Sequence, residues 1–247
     1  MLRFIYNLIV GIHPNNTIFS YNYHNVSHIL KFLKKQRSLV KANSVLIDVG
    51  AGLSPYYSIF SELVGKYISV DMEESLPKDE SRAIEQRIGM AEKLPLDDEI
   101  ADVVMSNQVL EHVLDPIKSA EESYRVLKKG GVFIGSVPHI SPVHLEPYDF
   151  RRYTDLGLKQ LLENVGFTNI HIEGNGGVHR AAALMVLMDW MLSKRKDSKG
   201  QKFNGIKSFI LFPLVGLINI MAIIFDFVFG DKKRSPANLC WIAYKPN

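Results

Sequence analysis

The chain has 247 residues, of which 47% are hydrophobic and 22% are charged, a composition typical of a globular protein. This length suits one large α/β domain with an insertion and argues against a second full catalytic domain. A formal net charge of +3 is too small to indicate nucleic acid as a partner. Cys240 is the only cysteine, so no intramolecular disulfide can form, and the reducing cytoplasm is the simplest compartment.

Two helical segments are predicted before the first strand. The apolar segment Met1–Val10 is too short to span a bilayer and lacks the cleavage pattern of a signal peptide, so we expect a docking helix there. Residues 25–40 place apolar side chains at helical spacing between lysines and arginines, which predicts an amphipathic helix. These residues form a predicted N-terminal helical segment over 1–44.

An alternation of strands and helices follows from residue 45. Strands are predicted over 45–49, 67–70, 87–89, 100–105, 132–137 and 167–172, and helices over 56–64, 117–127 and 154–164. Thr154 is the expected N-cap of the last helix and Gly166 its end. Such alternation predicts a mainly parallel sheet with helices on both faces. The predicted core therefore covers 45–177.

A further strand is predicted over 239–244, about sixty residues after the sixth strand. That distance is too long for a bare loop, so we treat 178–236 as an insertion and 237–247 as the final strand of the core.

Glycines and carboxylates occur where a parallel sheet binds ligands. Asp48, Gly50 and Gly52 follow the first strand, and Asp71 ends the second, about twenty residues later, where a carboxylate can accept hydrogen bonds from ribose hydroxyls. The alternatives are an ordinary tight turn and a capping carboxylate. Pro55 occupies the position of the third glycine in a dinucleotide fingerprint, so pyrophosphate binding is disfavoured. The sequence therefore predicts a nucleoside site.

Five ordered blocks carry a resemblance to a known family. They are VLIDVGAG at 45–52, YISVD at 67–71, GMAEKLPL at 89–96, DVVMSNQVLEHV at 102–113 and YRVLKKGGVF at 124–133. Together they resemble the class I methyltransferases of the broad UbiE-like group. This resemblance implies a Rossmann-like, seven-stranded, mainly parallel sheet whose last strand is antiparallel, and S-adenosylmethionine as the cofactor.

The resemblance also implies the cofactor-binding residues. The first block would face the methionine part, the end of the second block the ribose, the start of the third the adenine, and the fourth the transferable methyl group. The residues concerned are Asp48, Gly50, Ala51, Gly52, Asp71, Met72, Met90, Ala91, Ser106 and Asn107. Two positions depart from the family pattern: Ser54 replaces a frequent third glycine, and Met90 replaces a frequent acidic residue.

Transfer of a methyl group to a hydroxyl needs alignment and a group that removes the proton. The candidates for this general base are His112, His139, His144 and Asp149. His112 follows Glu111 in a block shared by family members with many substrate types, which favours a structural role. We keep His144, Asp149 and His112 as the catalytic candidates and expect no metal.

The segment 138–154 concentrates polar side chains after the fifth strand. Its arrangement HxxPxDxxRxT, formed by His144, Pro147, Asp149, Arg152 and Thr154, is similar to methyltransferases found with bacterial glycan and lipid biosynthesis. We predict a lid in which His144 is the base and the other polar groups bind substrate: His139, Tyr148, Arg151, Arg152 and Tyr153. Alternatively, Asp149 and Arg152 form a structural ion pair and Thr154 only caps the next helix.

An apolar run of eighteen uncharged residues, 208–225, lies inside the predicted insertion. A single crossing would separate the last strand from its sheet, so we expect a helix broken at Pro213, Gly216 and Asn219 that lies in the membrane interface. Basic residues on both sides would meet anionic headgroups: Lys194, Arg195, Lys196, Lys199, Lys232, Lys233 and Arg234. Packing onto the domain, or a dimer interface, is the alternative.

The sequence thus predicts a cytoplasmic methyltransferase, peripheral at the inner face of the membrane, that methylates an oxygen of a glycan, a lipid-linked intermediate or another small molecule. Two alternatives are open. The acceptor could be a different small molecule, such as a quinone precursor, or the protein could be a scaffold that binds nucleoside or partners without transferring a methyl group.

Overall fold

A computed structural model describes residues 16–77, 82–194, 201–203, 205–231 and 234–247. The chain divides into two compact units. The helical unit comprises Met1–Lys31, Pro138–Arg152 and Gly174–Leu239, and the sheet unit comprises Phe32–Val137, Tyr153–Glu173 and Cys240–Asn247. The segment 178–236 lies within the helical unit, whereas the predicted core lies in the sheet unit except for residues 138–152 and 174–177. The predicted helix over Met1–Val10 lies outside the described residues.

The described strands and helices follow the predicted alternation. The strands are β1 (Ser44–Val49), β2 (Val64–Asp71), β3 (Glu85–Ile88), β4 (Ala101–Asn107), β5 (Leu127–Pro138), β6 (Thr168–Gly174), β7 (Leu192–Lys194), β8 (Gln201–Phe203) and β9 (Asn238–Tyr244). The helices are α1 (Tyr23–Gln36), α2 (Tyr57–Phe60), α3 (Pro116–Val126), α4 (Asp155–Val165), α5 (Val178–Met191) and α6 (Gly205–Phe229). A 3₁₀ turn, Arg37–Leu39, follows α1.

Seven strands form one sheet in the order β3-β2-β1-β4-β5-β9-β6. The first five strands pair in parallel. Strand β9 runs antiparallel to its neighbours, because Lys245 bonds with Gly130 and Gly131 while Ala237 bonds with His139. A seven-stranded, mainly parallel sheet with an antiparallel last strand is the predicted fold, which is confirmed.

Two elements differ from their predicted bounds. Helix α2 has one turn instead of the predicted nine residues, because the chain enters the long strand β2 at Val64. Strand β5 begins at Leu127, five residues before the prediction. Leu127 pairs with Ala101 and Val132 with Val103, so the extra residues form a bulge at Gly130, whose φ is +72°. Helix α3 ends at Val126, before the glycines, and Gly130 and Gly131 lie inside the strand.

Side chains cap both helices that flank this part of the sheet. The Asp115 carboxylate accepts a hydrogen bond from the Lys118 N–H at the start of α3, with Pro116 next to it. Thr154 accepts from the Gly157 N–H at the start of α4, as predicted, and Gly166 ends that helix with φ +106°.

The helical unit contains α5 and α6, which share a buried cluster of Leu187, Met191 and Val215. Helix α6 is continuous over 25 residues with Pro213 inside it, so the prediction of a broken helix is wrong. Proline removes one backbone hydrogen bond, but tertiary contacts on its C-terminal side hold the helix. Residues Ile210–Phe229 are long and apolar enough to cross a membrane by length and composition, with a mean hydropathy of 2.3.

Gly135→Ala is expected to lower the free energy of unfolding by roughly 2 kcal/mol or more, because a close backbone contact cannot relax. The added Cβ would lie 2.1 Å from the Ser106 carbonyl oxygen and 2.3 Å from the fully buried Trp241 ring. Urea denaturation followed by circular dichroism measures the change. Leu156→Ala, at a side chain that is 75% exposed, is the control, with an expected change below about 0.5 kcal/mol. Equal stabilities of the two variants would contradict this packing.

Candidate functional site

The turn after β1 requires glycine at two positions. Gly50 has φ +66° and Gly52 has φ +50°, backbone conformations that L side chains rarely adopt. At Gly50 a Cβ would also lie 2.4 Å from Cγ2 of Val109. The Gly50 N–H donates to the Val70 carbonyl at 2.8 Å, which fastens the turn to the neighbouring strand. Around Gly52 the structure leaves open space where a Cβ would be, so a ligand can approach the backbone there.

Asp71 joins the ends of β1 and β2. One carboxylate oxygen accepts a hydrogen bond from the Gly52 N–H at 2.7 Å, and the other accepts from the Met72 N–H at 2.7 Å. An ionised carboxylate has about four acceptor positions, so two remain for a ligand. The carboxylate therefore shapes the glycine turn and still has the capacity to accept from ribose hydroxyls.

Asp48 lies behind this turn and is 2% exposed. Its carboxylate accepts a hydrogen bond from the Tyr67 hydroxyl at 2.7 Å. Burial raises the pKa of Asp48 from 3.8 to about 7, the Tyr67 hydrogen bond opposes this rise, and the negative charge of Asp71 adds to it. Tyr67 is a site residue that the sequence did not reveal, because the contact joins two strands and only their register places the side chains together.

Ser106 and Asn107 lie at the end of β4, where Ser106 is level with Val49 of β1. The Asn107 side-chain oxygen accepts from the Ser136 hydroxyl at 3.0 Å. Among the described residues, the Ser106 hydroxyl and the Asn107 amide nitrogen are buried and have no hydrogen-bond partner. Buried polar atoms of this kind are costly, which indicates that a ligand completes their bonding. Ser136 is a second contact that the sequence did not reveal.

Met90 and Ala91, predicted to face the adenine, and Met72, predicted to bind the cofactor, lie beyond the ends of β3 and β2. Met72 and Met90 are 49% and 55% exposed, and Ala91 is half-buried. Between them, the Gly89 N–H donates to the Asp71 carbonyl at 3.0 Å. The strand ends therefore present two apolar side chains that a planar base can contact. An adenosyl cofactor fits the site as a whole, which consists of the open glycine turn, the carboxylate of Asp71 and the buried polar atoms.

His112 follows β4 in the same unit and is half-buried. Its Nε2 lies 3.7 Å from Oε1 of Glu111, a carboxylate that is fully buried. Two roles are compatible with this pair. It can stabilise the neighbouring backbone, or His112 can act as a general base.

The 138–152 part of the predicted lid belongs to the helical unit. The two terminal guanidinium nitrogens of Arg152 donate to Asp149, at 2.6 and 2.7 Å, while its Nε donates to the Ser141 carbonyl and its Nη2 also to the Pro142 carbonyl. Burial raises the pKa of the Asp149 carboxyl, but the hydrogen bonds from Arg152 and from the His144 N–H outweigh it and hold this pKa below its ordinary value. Asp149 and Arg152 thus form the structural ion pair that the alternative interpretation expects.

His144 is oriented by this ion pair. Its Nδ1 lies 3.1 Å from the Pro142 carbonyl oxygen and 3.3 Å from a carboxylate oxygen of Asp149. Both atoms are acceptors only, so Nδ1 carries a proton and the lone pair of the neutral ring is at Nε2. In this tautomer Nε2 can accept a proton, as a general base must.

The predicted substrate-binding residues occupy different environments. Tyr148 is 64% exposed, and the Arg151 guanidinium lies 5.8 Å from the centre of the Phe150 ring. His139 is half-buried, and its backbone N–H donates to the Ala237 carbonyl. Tyr153, in the sheet unit, is buried, and its hydroxyl donates to the Leu110 carbonyl at 2.8 Å. The Tyr153 hydroxyl therefore already has a partner within the fold, whereas most of the Tyr148 side chain is exposed.

Asp48→Asn is expected to raise the stability of the cofactor-free protein at about pH 8 more than at about pH 5. The folded pKa, about 7, lies above the ordinary value of 3.8, so the contribution of Asp48 to stability is complete below about pH 4 and is lost as the pH rises through about 7. Asparagine keeps an acceptor for Tyr67 and does not titrate. Thermal unfolding across this pH range is the measurement. Asp97→Asn, at an exposed position, is the control, and an equal shift of both variants at every pH would contradict the raised pKa.

Comparison with known proteins shows similarity to methyltransferases. Residues 47–135 match the family model described as a methyltransferase domain. A protein of Mycolicibacterium smegmatis, named "Probable S-adenosylmethionine-dependent methyltransferase", is 30% identical over 151 residues, which is 58% of this chain and 58% of that relative. The chain thus spans less than two thirds of that relative's length.

Solved structures of methyltransferases share the fold. A SAM-dependent methyltransferase of Archaeoglobus fulgidus covers 89% of this chain and 94% of its own, with a TM-score of 0.56 and 19% identity. Phosphoethanolamine N-methyltransferase 2 of Haemonchus contortus, in complex with S-adenosylmethionine, covers 99% of this chain and 56% of its own, with a TM-score of 0.63 and 15% identity. The predicted family and its cofactor, S-adenosylmethionine, are confirmed. Residues 47–135 thus match a methyltransferase domain, and the chain is similar to the class I S-adenosylmethionine-dependent methyltransferases.

Proposed function

We propose that the protein transfers a methyl group from S-adenosylmethionine to an oxygen of a glycan, a lipid-linked intermediate or another small-molecule acceptor. The observation that carries the proposal is the orientation of His144, whose Nδ1 faces the Pro142 carbonyl and the Asp149 carboxylate. A hydroxyl acceptor needs a base, whereas an already ionised nucleophile does not. An oriented histidine therefore favours an oxygen acceptor.

In this proposal the sheet unit holds the cofactor. The glycine turn 50–52, with Asp48 behind it, binds the methionine part, and Asp71 accepts hydrogen bonds from the ribose. Met72, Met90 and Ala91 contact the adenine, and Ser106 and Asn107 complete their hydrogen bonds beside the methyl group. When bound, S-adenosylmethionine supplies a methyl group activated by a sulfonium.

His144 has the role of general base. The acceptor oxygen loses its proton to Nε2 of His144 as it gains the methyl group, so the products are a methyl ether and S-adenosylhomocysteine. Asp149 is a positioning residue in this scheme, because Arg152 and the His144 backbone N–H occupy its carboxylate. The Asp149 carboxylate keeps the His144 ring protonated at Nδ1 and stabilises the imidazolium that forms, as the aspartate of a catalytic triad does for its histidine.

We assign the contacts with the acceptor to exposed side chains of the segment 138–152. Tyr148 and Arg151 offer a hydroxyl and a cation near Phe150, which suits a sugar or an anionic group. His139 and Arg152 belong to the same segment, whereas Tyr153 lies in the sheet unit, where its hydroxyl donates to the Leu110 carbonyl. We place the enzyme in the cytoplasm, peripheral at the inner face of the membrane, where a lipid-linked acceptor is available.

A scaffold that binds nucleoside without methyl transfer is the second candidate. The Asp149–Arg152 ion pair and the Thr154 cap favour it, because both stabilise the segment without any chemistry. His112, with Glu111 beside it, is the second candidate base.

His144→Ala is expected to lower the rate of methyl transfer by roughly two to four orders of magnitude and to leave cofactor affinity unchanged. A labelled-methyl assay over lipid and sugar fractions measures transfer, and calorimetry measures S-adenosylmethionine binding. His112→Ala is the matched variant. A fully active His144 variant together with an inactive His112 variant would identify His112 as the general base. Binding of the cofactor without transfer to any fraction by the wild-type protein would favour the scaffold.

Asp71→Asn is expected to weaken S-adenosylmethionine binding by about tenfold or more, because the amide can replace only one acceptor oxygen. The loss combines weaker bonding to ribose with a looser Gly52 turn, since both carboxylate oxygens accept backbone hydrogen bonds. Calorimetry on the folded variant checks the result. The exposed Asp97→Asn variant should bind like the wild type, and an Asp71 variant that does the same would remove Asp71 from the site.

A further inference from the structure

Helix α6 has a buried face at regular helical spacing. Val215, Asn219, Ala222 and Asp226 are all at most 5% exposed, and they are separated by four, three and four residues. Two of the four are polar, which is unusual in a run with a mean hydropathy of 2.3. Asn219 and Asp226 thus lie on the side of α6 that faces the protein.

Those polar residues attach α6 to the rest of the helical unit. The Asn219 amide donates to the carbonyls of Ile18 and Ser20, at 2.7 and 3.0 Å. The Asp226 carboxylate accepts from the Gly177 and His179 N–H groups, at 2.6 and 3.0 Å, and so caps the start of α5. Burial raises the pKa of Asp226, but these hydrogen bonds outweigh it and hold the pKa below its ordinary value, so the carboxylate is charged and satisfied.

Over residues 210–229, where the structure describes the side chains, the opposite face of α6 is exposed and apolar. Six of its members follow the helical repeat of four, three, four, three and four residues. We call this surface the outer face of α6, formed by Ile210, Leu214, Leu217, Ile220, Met221, Ile224, Phe225, Phe227, Val228 and Phe229. Phe227 and Phe229 are 84% and 73% exposed. A continuous apolar surface of this extent indicates a binding partner that is itself apolar.

The sequence around α6 is basic on both sides. Lys194, Arg195, Lys196 and Lys199 precede the helix, and Lys232, Lys233 and Arg234 follow it. The Arg234 side chain is 87% exposed. An apolar face between two basic stretches is complementary to an anionic bilayer, whose acyl chains accept the apolar groups while its headgroups attract the cations.

We infer that the outer face of α6 docks the protein on an anionic lipid surface, with the helix lying flat in the headgroup region. The inference rests on the proposed function in that a lipid-linked acceptor is presented at such a surface. A second copy of the chain is a poorer occupant. In a two-fold dimer the apolar outer faces would meet, but the second copy would bring the same basic flanking sequences and no anionic partner for them.

A crossing of the bilayer by α6 does not fit these contacts. The bonds of Asn219 and Asp226 hold about two turns of the helix against other parts of the helical unit. Asn238, at the start of β9, bonds to Asn175, just after β6, through both the backbone and the side chain, so the segment that contains α6 begins and ends at adjacent residues. Helix α5, with 14 residues, is too short for a returning crossing.

Vesicle flotation tests the inference on the full-length protein. We expect it to float with vesicles of phosphatidylcholine and phosphatidylglycerol in equal parts, to float less with phosphatidylcholine alone, and to be released by carbonate. Leu217→Asp and Phe227→Asp, at exposed positions of the outer face, should each reduce the bound fraction on the order of tenfold or more. Leu156→Asp, at a 75% exposed position of α4, is the matched control and should float like the wild type.

Four results would overturn the inference. In the first, the wild-type protein floats with neither kind of vesicle, and in the second, the outer-face variants float like the wild type. In the third, carbonate does not release the protein, which would show that the helix crosses the bilayer. In the fourth, light scattering shows a dimer that the outer-face variants abolish, and the protein does not float. Calorimetry with S-adenosylmethionine separates this test from the proposed function. Intact cofactor binding without flotation rejects only the lipid surface, whereas flotation without methyl transfer rejects only the proposed reaction.

Discussion

The two hydrogen bonds of the Asp71 carboxylate are the constraint on which the cofactor site depends. One fixes Gly52 of the first turn and the other fixes Met72 at the end of β2, so the ends of two neighbouring strands keep one geometry. Because the turn has no side chain at Gly50 or Gly52, hydrogen bonds to its backbone are what hold its shape. A site built this way is formed before the cofactor arrives, which reduces the ordering that binding requires.

Charged groups elsewhere in the molecule serve the fold in a similar manner. Asp226 caps α5 from within an otherwise apolar stretch of α6, and Asp149 holds Arg152 and His144 in one arrangement. In each case a buried carboxylate keeps a low pKa because hydrogen bonds more than offset the loss of hydration. Asp48 is the exception, since burial dominates there and leaves its carboxyl half-protonated near neutral pH.

Local patterns in the sequence sufficed to predict the sheet, the Thr154 cap and the residues of the glycine turn, because each depends on spacings within about twenty residues. Contacts between distant parts of the chain could not be predicted in the same way. The bond of Tyr67 to Asp48 depends on strand register, and the cap of α5 by Asp226 joins residues almost fifty positions apart. The continuity of α6 through Pro213 also escaped local reasoning, since a proline normally ends a helix and the contacts that hold this one are tertiary.

Strand β9 lies between β5 and β6 in the sheet, and Asn175 and Asn238 bond to each other through both backbone and side chain. The chain therefore leaves the sheet and returns to it at adjacent points. For a chain segment with fixed, neighbouring ends, the entropy of closure grows only with the logarithm of its length. Evolution can consequently lengthen, shorten or exchange the excursion between those two asparagines while the strand pairing on either side stays the same, which makes it the natural place for related enzymes to diverge in what they recognise.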